Sequence, residues 1–424
     1  MGVDGGEERT GWLGRVCWQL VVPATIGALT GACVAGASEV VEGVALAKLA
    51  SLPGALPALF SPVALLLTLL VSRYVTRAEK PATSELYILT YHRPEITFPL
   101  SQVPGRLLAA AATVGFGGSQ GFESASALIG VTWSELVSRW RLRAAEETRR
   151  SLLAAGASAG IAAVFSSPSV GTLYGIEVPY RRDVDAPRLA PCAVAAVASY
   201  AVRDWLVGAK RLVEVKGLPE IDVVFLLGCL AVALACGAGA WLFAWLELVL
   251  KRIGSRQTRF QRAAIAGVVL AGLAWAGWAL CGKWITFGPG YVAGDWLLLE
   301  GGHPLSVLAV ALAIRASGNL VCVYGGGGGG VFTSLACNGA FLGQIIAEAI
   351  GRAETRMLPL LGAACFLASG YRLPIACMLL VAEQSRDISI TAAGLVAIAV
   401  GQVVMGRSSV SEAQVDTRLG AEPA

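Results

Sequence analysis

GFGGSQGFESASALIG, residues 115–130, decides how this chain is read. Glu123 is the one carboxylate in it, and apolar sequence lies on both sides: LLAAAATV (107–114) before and ASALIGV (125–131) after. The glycines at 115, 117, 118 and 121 allow bends that a side chain would forbid. A helical pattern starts at Ser124 and Ala125, so Glu123 stands at a helix N-terminus, where unpaired N–H groups and the positive end of the dipole favour an anion. In lipid, irregular backbone survives only around a cavity, and a helix broken at membrane depth is the usual frame of an ion site. A glutamate that merely caps a buried helix is the alternative. An ionisable group at such depth is nevertheless read first as functional.

The rest of the composition agrees with a membrane setting. Of 424 residues, 55% are hydrophobic and 15% charged, and mean hydropathy is +0.66. A soluble chain carries about 25% charged residues. The 51 glycines suit helices that pack closely through small residues. Residues 1–16 are polar and acidic without an apolar core, which reads as a cytoplasmic segment and not as a signal peptide. Gly6 stands where myristoylation prefers Ser or Thr. The ten cysteines fall in apolar runs without a CxxC, and there are two histidines, so packing is expected of the cysteines and neither metal nor cofactor is expected. A net charge of +4 gives no reason to expect nucleic acid as a partner.

Apolar segments run through residues 17–405 with unequal lengths. Stretches such as 17–49 and 222–250 can cross at a steep tilt, whereas 168–178 and 373–383 fall short of the roughly 20 residues a span needs. An all-α integral membrane protein with tilted, re-entrant and half-spanning helices is expected. Lys and Arg gather at 73–80, 139–150, 181–188 and 251–262, which places those loops in the cytoplasm. Residues 406–424 read as a short cytoplasmic tail or final helix.

An internal repeat divides the transmembrane part into halves of about 57–206 and 261–405. FSSPSVGTLYGIE (165–177) and YRLPIACMLLVAE (371–383) share an aromatic, a proline three residues on and a glutamate nine residues after that. A glycine-rich break precedes each: GGSQGFESA (117–125) and GGGGGGVFTS (325–334). Matching breaks in two halves point to a binding site between them. The second break also reads as a flexible loop; a phosphate loop would need a lysine that is absent.

With these residues in hand, the chain from about 17 to 415 resembles the CLC family of chloride channels and chloride/proton exchangers, here without CBS domains. GFESASALIG (121–130) is similar to the family's Gly-Arg-Glu-Gly-Pro helix start, with Phe122 for the arginine and Ser124-Ala125 for Gly-Pro. GGVFTS (329–334) is similar to Gly-x-Phe-x-Pro, with Ser334 for the proline. The resemblance implies a fold of two inverted repeats, a homodimer with one pore per subunit, and Glu123 as the gate that competes with the anion and yields when protonated. Anion contacts are then expected from Gly121, Phe122, Glu123, Gly330, Val331 and Phe332, and from Thr83 or Ser84 in PATSELY (81–87) on the cytoplasmic side. A halide and a carboxylate want the same N–H donors, which makes the competition physically sound.

Two departures stand out. Val178 occupies the place of the exchangers' internal proton-transfer glutamate, and Val410 or Ser411 lies near the place of the last helix's tyrosine. Glu177 and Glu383 match scaffold glutamates near the family's dimer interface. The expected function is transport of chloride or a similar small anion through a bacterial inner membrane, as channel or proton-coupled antiporter; fluoride/proton antiport and an unrelated inverted-repeat carrier are the alternatives. An intramembrane enzyme would need a polar partner for its acid. Glu39, Glu42, Glu135 and Glu247 lie near segment ends with no His, Cys or Asp motif beside them, so no enzyme is expected.

Overall fold

A computed structural model describes residues 14, 16–77, 84–93, 95, 99–140, 146–208, 221–354, 356–385 and 389–417. The described residues form helices without a strand. In the first half these are α1 (Cys17–Ala50), α2 (Leu56–Thr76), α3 (Ser84–His92), α4 (Val103–Gly115), α5 (Glu123–Trp140), α6 (Glu146–Phe165), α7 (Pro168–Glu177) and α8 (Leu189–Val207). The second contains α9 (Val223–Gly254), α10 (Arg259–Cys281), α11 (Tyr291–Asp295), α12 (Leu305–Tyr324), α13 (Phe332–Ala349), α14 (Met357–Tyr371), α15 (Pro374–Ser385) and α16 (Ser389–Met405).

Helix lengths follow the hydropathy pattern. Among the described residues, five helices (α1, α2, α9, α10 and α12) are long and apolar enough to cross a membrane. At about 1.5 Å per residue the 34-residue α1 exceeds the ~30 Å of hydrocarbon and must tilt, while the 10-residue α7 spans about half of it. Val223, Leu227, Val268 and Val403 point outward from the molecule, as lipid-facing side chains of a membrane protein do.

The order glycine break, long helix, second helix, short proline-led helix, closing helix occurs twice: α5 to α8 after residues 116–122, and α13 to α16 after residues 325–331. Both copies pack their first two helices through facing glycines. A Cβ on Gly130 of α5 would fall 1.9 Å from the Gly156 carbonyl oxygen of α6, and one on Gly339 of α13 would fall 2.1 Å from the Gly362 carbonyl oxygen of α14. Backbones this close are what small residues provide where lipid, itself apolar, gives no drive to bury surface.

Glu177 and Glu383 tie the two copies together. Both Glu177 carboxylate oxygens accept amides at the start of α15, from Ile375 and Ala376, at 2.9 Å each. Glu383 near the end of α15 takes the hydroxyl of Ser167, which itself caps α7 by accepting from the Val170 amide. The two short helices therefore run antiparallel: Glu177 satisfies two of the four unpaired N–H groups at the start of α15, and Glu383 holds the Ser167 cap of α7 in place.

After Met405 the described residues, to 417, form turns instead of the helix considered above. They fold back onto residues 179–182: the Arg181 amide donates to the Val415 carbonyl at 2.8 Å, and the Gln414 amide reaches the Val178 and Tyr371 carbonyls at 2.8 and 2.9 Å. The segment lacks the apolar face a helix would need to pack, and its polar groups pair with loop carbonyls.

Candidate functional site

The two glycine-rich breaks lie side by side. Gly121 and Gly330 exchange both backbone hydrogen bonds, at 2.8 and 2.9 Å, in a single antiparallel bridge. The N-termini of α5 and α13 are thereby brought against each other, so two sets of unpaired amides and two positive dipole ends share one place. Glycine at both positions leaves room for the Glu123 side chain. A Cβ on Gly121 would stand 2.2 Å from Glu123 Oε1, and one on Gly330 would stand 3.0 Å from Glu123 Oε2.

Glu123 is buried at this junction, 2% exposed. Its Oε1 accepts the backbone amide of Thr333, in the first turn of α13, at 3.1 Å. Its Oε2 is buried without a hydrogen-bond partner, as is the hydroxyl of Ser124 beside it. A carboxylate bound to amides of the opposite helix is the arrangement of an occupied anion site.

The ring of Phe332 closes the site on one side. It packs against Phe165 (5.0 Å between centroids), Tyr371 (5.3 Å) and Tyr174 (5.7 Å). Phe165 and Tyr371 are the paired aromatics of the sequence repeat, and both converge on Phe332. Phe122 does something different: its ring joins an apolar cluster with Val34, Val41 and Val114, so only its backbone faces the junction.

Irregular backbone inside a bilayer must be satisfied by the protein, and polar side chains from apolar helices do so. Gly328 and Gly329 donate their amides to Thr113 Oγ1 (2.9 Å) and Gln120 Oε1 (3.1 Å). Asn319 donates to the carbonyl and hydroxyl of Ser119, both at 2.9 Å, and accepts from Asn338 at 3.0 Å. Arg315, fully buried, donates to the Ile285 and Gly288 carbonyls at 3.0 and 2.9 Å and interacts electrostatically with Glu123. No motif marks these residues; the signal Arg315 and Asn319 carry is a strongly polar group inside a membrane-length apolar run.

A cavity of about 600 Å³ opens below the junction. Gly330, Val331 and Tyr371 form its inner end, and Lys251, Arg252 and Glu412 lie toward the 251–262 cluster of basic residues. Val410 and Ser411 line it, as does Glu85 of α3. Of the two hydroxyls expected here, Thr83 lies outside the described residues, and Ser84 begins α3 with its side chain also outside them. Glu85, the next residue, brings the start of α3 to the cavity wall. Val178 is fully buried, away from the cavity lining. Gly121, Glu123, Gly330, Val331 and Phe332 are thus gathered at one place, and Phe122 contributes by backbone.

Known proteins share this architecture. A crystal structure of a CLC-type fluoride/proton antiporter superposes with a TM-score of 0.82 at 22% identity, covering 96% of this chain and 100% of that one. A slow cyanobacterial Cl⁻/H⁺ antiporter also superposes at 0.82, with 19% identity over 93% and 96% of the two chains. At such identities the likeness concerns the fold. In sequence, the H⁺/Cl⁻ exchange transporter ClcA of Citrobacter koseri is 27% identical over 299 residues, 67% of this chain and 62% of that protein. A chloride/fluoride channel protein of Pseudomonas syringae pv. tomato is 37% identical over 117 residues, 27% and 25% of the two chains. The chain thus matches under two thirds of the length of these relatives. The family described as voltage gated chloride channel matches residues 63–406. With four fifths of the chain inside that match and the fold of CLC proteins around the Glu123 junction, the protein belongs to the CLC family of voltage-gated chloride channels.

Proposed function

We propose that the protein carries chloride or a similar small inorganic anion across a membrane, with Glu123 as the gate. One observation supports this above the others: the buried Glu123 carboxylate accepts an amide of the opposite half-helix, Thr333, while its second oxygen has no partner. A halide offered to that amide replaces the carboxylate charge for charge. Protonation removes the competing charge and frees the amide. Gly121, Gly330, Val331 and Phe332 contribute the backbone junction and an aromatic wall, and the basic residues at the cavity mouth draw anions from the cytoplasm. Family membership removes the case for an unrelated carrier. The relatives named above are transporters or a channel, which supports transport over intramembrane enzymology. A bacterial inner membrane and a homodimer with one pore per subunit belong to the same reading.

Fluoride/proton antiport is the second reading, favoured by the likeness to a CLC-type fluoride/proton antiporter and to a chloride/fluoride channel protein. Liposome flux of chloride and of fluoride, recorded together with proton uptake, separates the two. Absence of both fluxes from correctly folded protein would overturn the proposal, and a monomeric mass in both detergent and lipid would overturn the dimer.

A further inference from the structure

The cavity is lined by one buried carboxylate and ends one glycine short of a second, each with one oxygen left without a hydrogen-bond partner. Glu247 of α9 lines it and is 7% exposed; its Oε1 is held by Lys251 at 3.0 Å, whereas its Oε2 is buried without a hydrogen-bond partner. At the inner end Gly330 forms the wall, and a Cβ placed on it would stand 3.0 Å from the equally unpartnered Oε2 of Glu123. Only a glycine separates cavity from gate. Tyr371 lines the cavity as well, and its ring packs on Phe332 of the junction at 5.3 Å between centroids. An unpaired buried carboxylate oxygen is costly unless water or a proton satisfies it, and a cavity of about 600 Å³ has room for several waters.

Resting on the transport reading above, we infer that Glu247 is the cytoplasmic proton relay of this protein. A proton from cytoplasmic water binds Glu247 Oε2, passes through cavity water to Glu123 Oε2, and leaves Glu247 a carboxylate again, so that no other reactant is consumed. Val178 cannot serve, being apolar, buried and away from the cavity. The groups facing Glu247 suit the task. Lys251 on the same helix holds the ionised form, and it is shared at 2.9 Å with Glu412 of the C-terminal segment, so Lys251 keeps a partner when Glu247 is protonated. Glu85 of α3, Arg252 at the end of α9 and Arg262 of α10 line the same cavity, so charges of both signs face it.

The test reconstitutes the full chain in liposomes and records anion efflux and proton uptake together. Glu247→Gln keeps the shape and one acceptor oxygen for Lys251 but has no titratable proton. It is expected to keep anion flux near the wild-type level while the proton-to-anion ratio falls at least about tenfold, in line with the worth of a positioned proton-transfer group. Glu247→Asp, as the conservative variant, is expected to restore coupling with a shifted pH profile, which a purely structural ion pair would not do. A wild-type ratio in Glu247→Gln overturns the inference, as does loss of coupling in Glu85→Gln instead. Wild-type anion flux without any proton movement overturns it too, but leaves the anion site standing. Absence of anion flux from the wild type instead strikes the transport reading itself.

Discussion

Replacing Glu123 by glutamine tests the junction directly. The change is isosteric, so Oε1 can still accept the Thr333 amide and the α5–α13 contact at Gly121 and Gly330 is left alone. What is lost is the charge. A hydrogen bond to a carboxylate contributes about 1.5–3 kcal/mol net, against about 0.5–1.5 for a neutral acceptor. The dipole ends of two helices add about 0.3–1 kcal/mol each at ordinary exposure. The side chain's hold on the amide therefore weakens by about 1.6–3.5 kcal/mol, and an anion gains an advantage of roughly fifteen- to four-hundred-fold in the competition.

The direction with pH follows from the same picture. In the wild type, acid converts the occupying carboxylate to a neutral carboxyl, so flux rises as pH falls. In Glu123→Gln the side chain is neutral at every pH, so flux is high and flat. The assay is anion efflux from liposomes as a function of external pH, with apparent anion affinity taken from isothermal titration. A variant that retains the wild-type pH dependence, or binds anion no better, would show that Glu123 does not occupy the anion's place.

Three further outcomes are expected. Glu177→Ala leaves the Ile375 and Ala376 amides of α15 unpaired in a buried place, at about 1–3 kcal/mol each, so thermal stability in detergent should fall clearly, whereas Glu177→Gln should recover part of it. Arg315→Met orphans the Ile285 and Gly288 carbonyls for a similar loss, and the variant should also show weaker anion binding, because a buried positive charge near the site is gone; unchanged affinity would confine Arg315 to scaffolding. Gly130→Val sets its first side-chain carbon 1.9 Å from the Gly156 carbonyl oxygen, so α5 and α6 must separate, costing at least the ~1–3 kcal/mol of an overpacked core and lowering the yield of folded protein.

Much of this arrangement is legible before any coordinates, for a definite reason. Helix extents follow from hydropathy because lipid forbids exposed backbone, and the expected 168–178 differs from α7 (Pro168–Glu177) by one residue while 222–250 lies within α9 and its flank. The pairing of the two breaks was expected from their order in the repeat. Other features leave no such trace. The capping of α15 by Glu177 and the hold of Glu383 on Ser167 depend on α7 and α15 running antiparallel in contact, a tertiary fact. Phe122 was counted among the anion contacts on motif position alone, and its ring faces α1 and α4 because an apolar cluster there is available to it. Glu247 looked like an end-of-segment acid; the fold of the tail after Met405 and the packing of α3 are what turn its surroundings into a cavity.

Arg315 and Asn319 show where reading by motif stops short and physics takes over. A glycine break at membrane depth exposes amides and carbonyls that water cannot reach, and each is costly if left unpaired. Two breaks therefore require a matching set of donors and acceptors somewhere in the surrounding helices. Arg315 and Asn319 are four residues apart on α12, hence on one face, and that face meets the loop at 285–288 and the first break at Ser119. Asn338 on α13 continues the line by donating to Asn319. The Gly288 amide in turn donates to the Gly118 carbonyl, so the loop held by Arg315 is itself fastened to the first break. Charge and amide groups inside otherwise apolar spans are thus the counterpart of the glycines, and the rigidity of the Gly121–Gly330 junction depends on them. Removing the Asn319 amide should loosen the site even though Asn319 does not touch Glu123, because the first break would lose the donor that holds Ser119 in place.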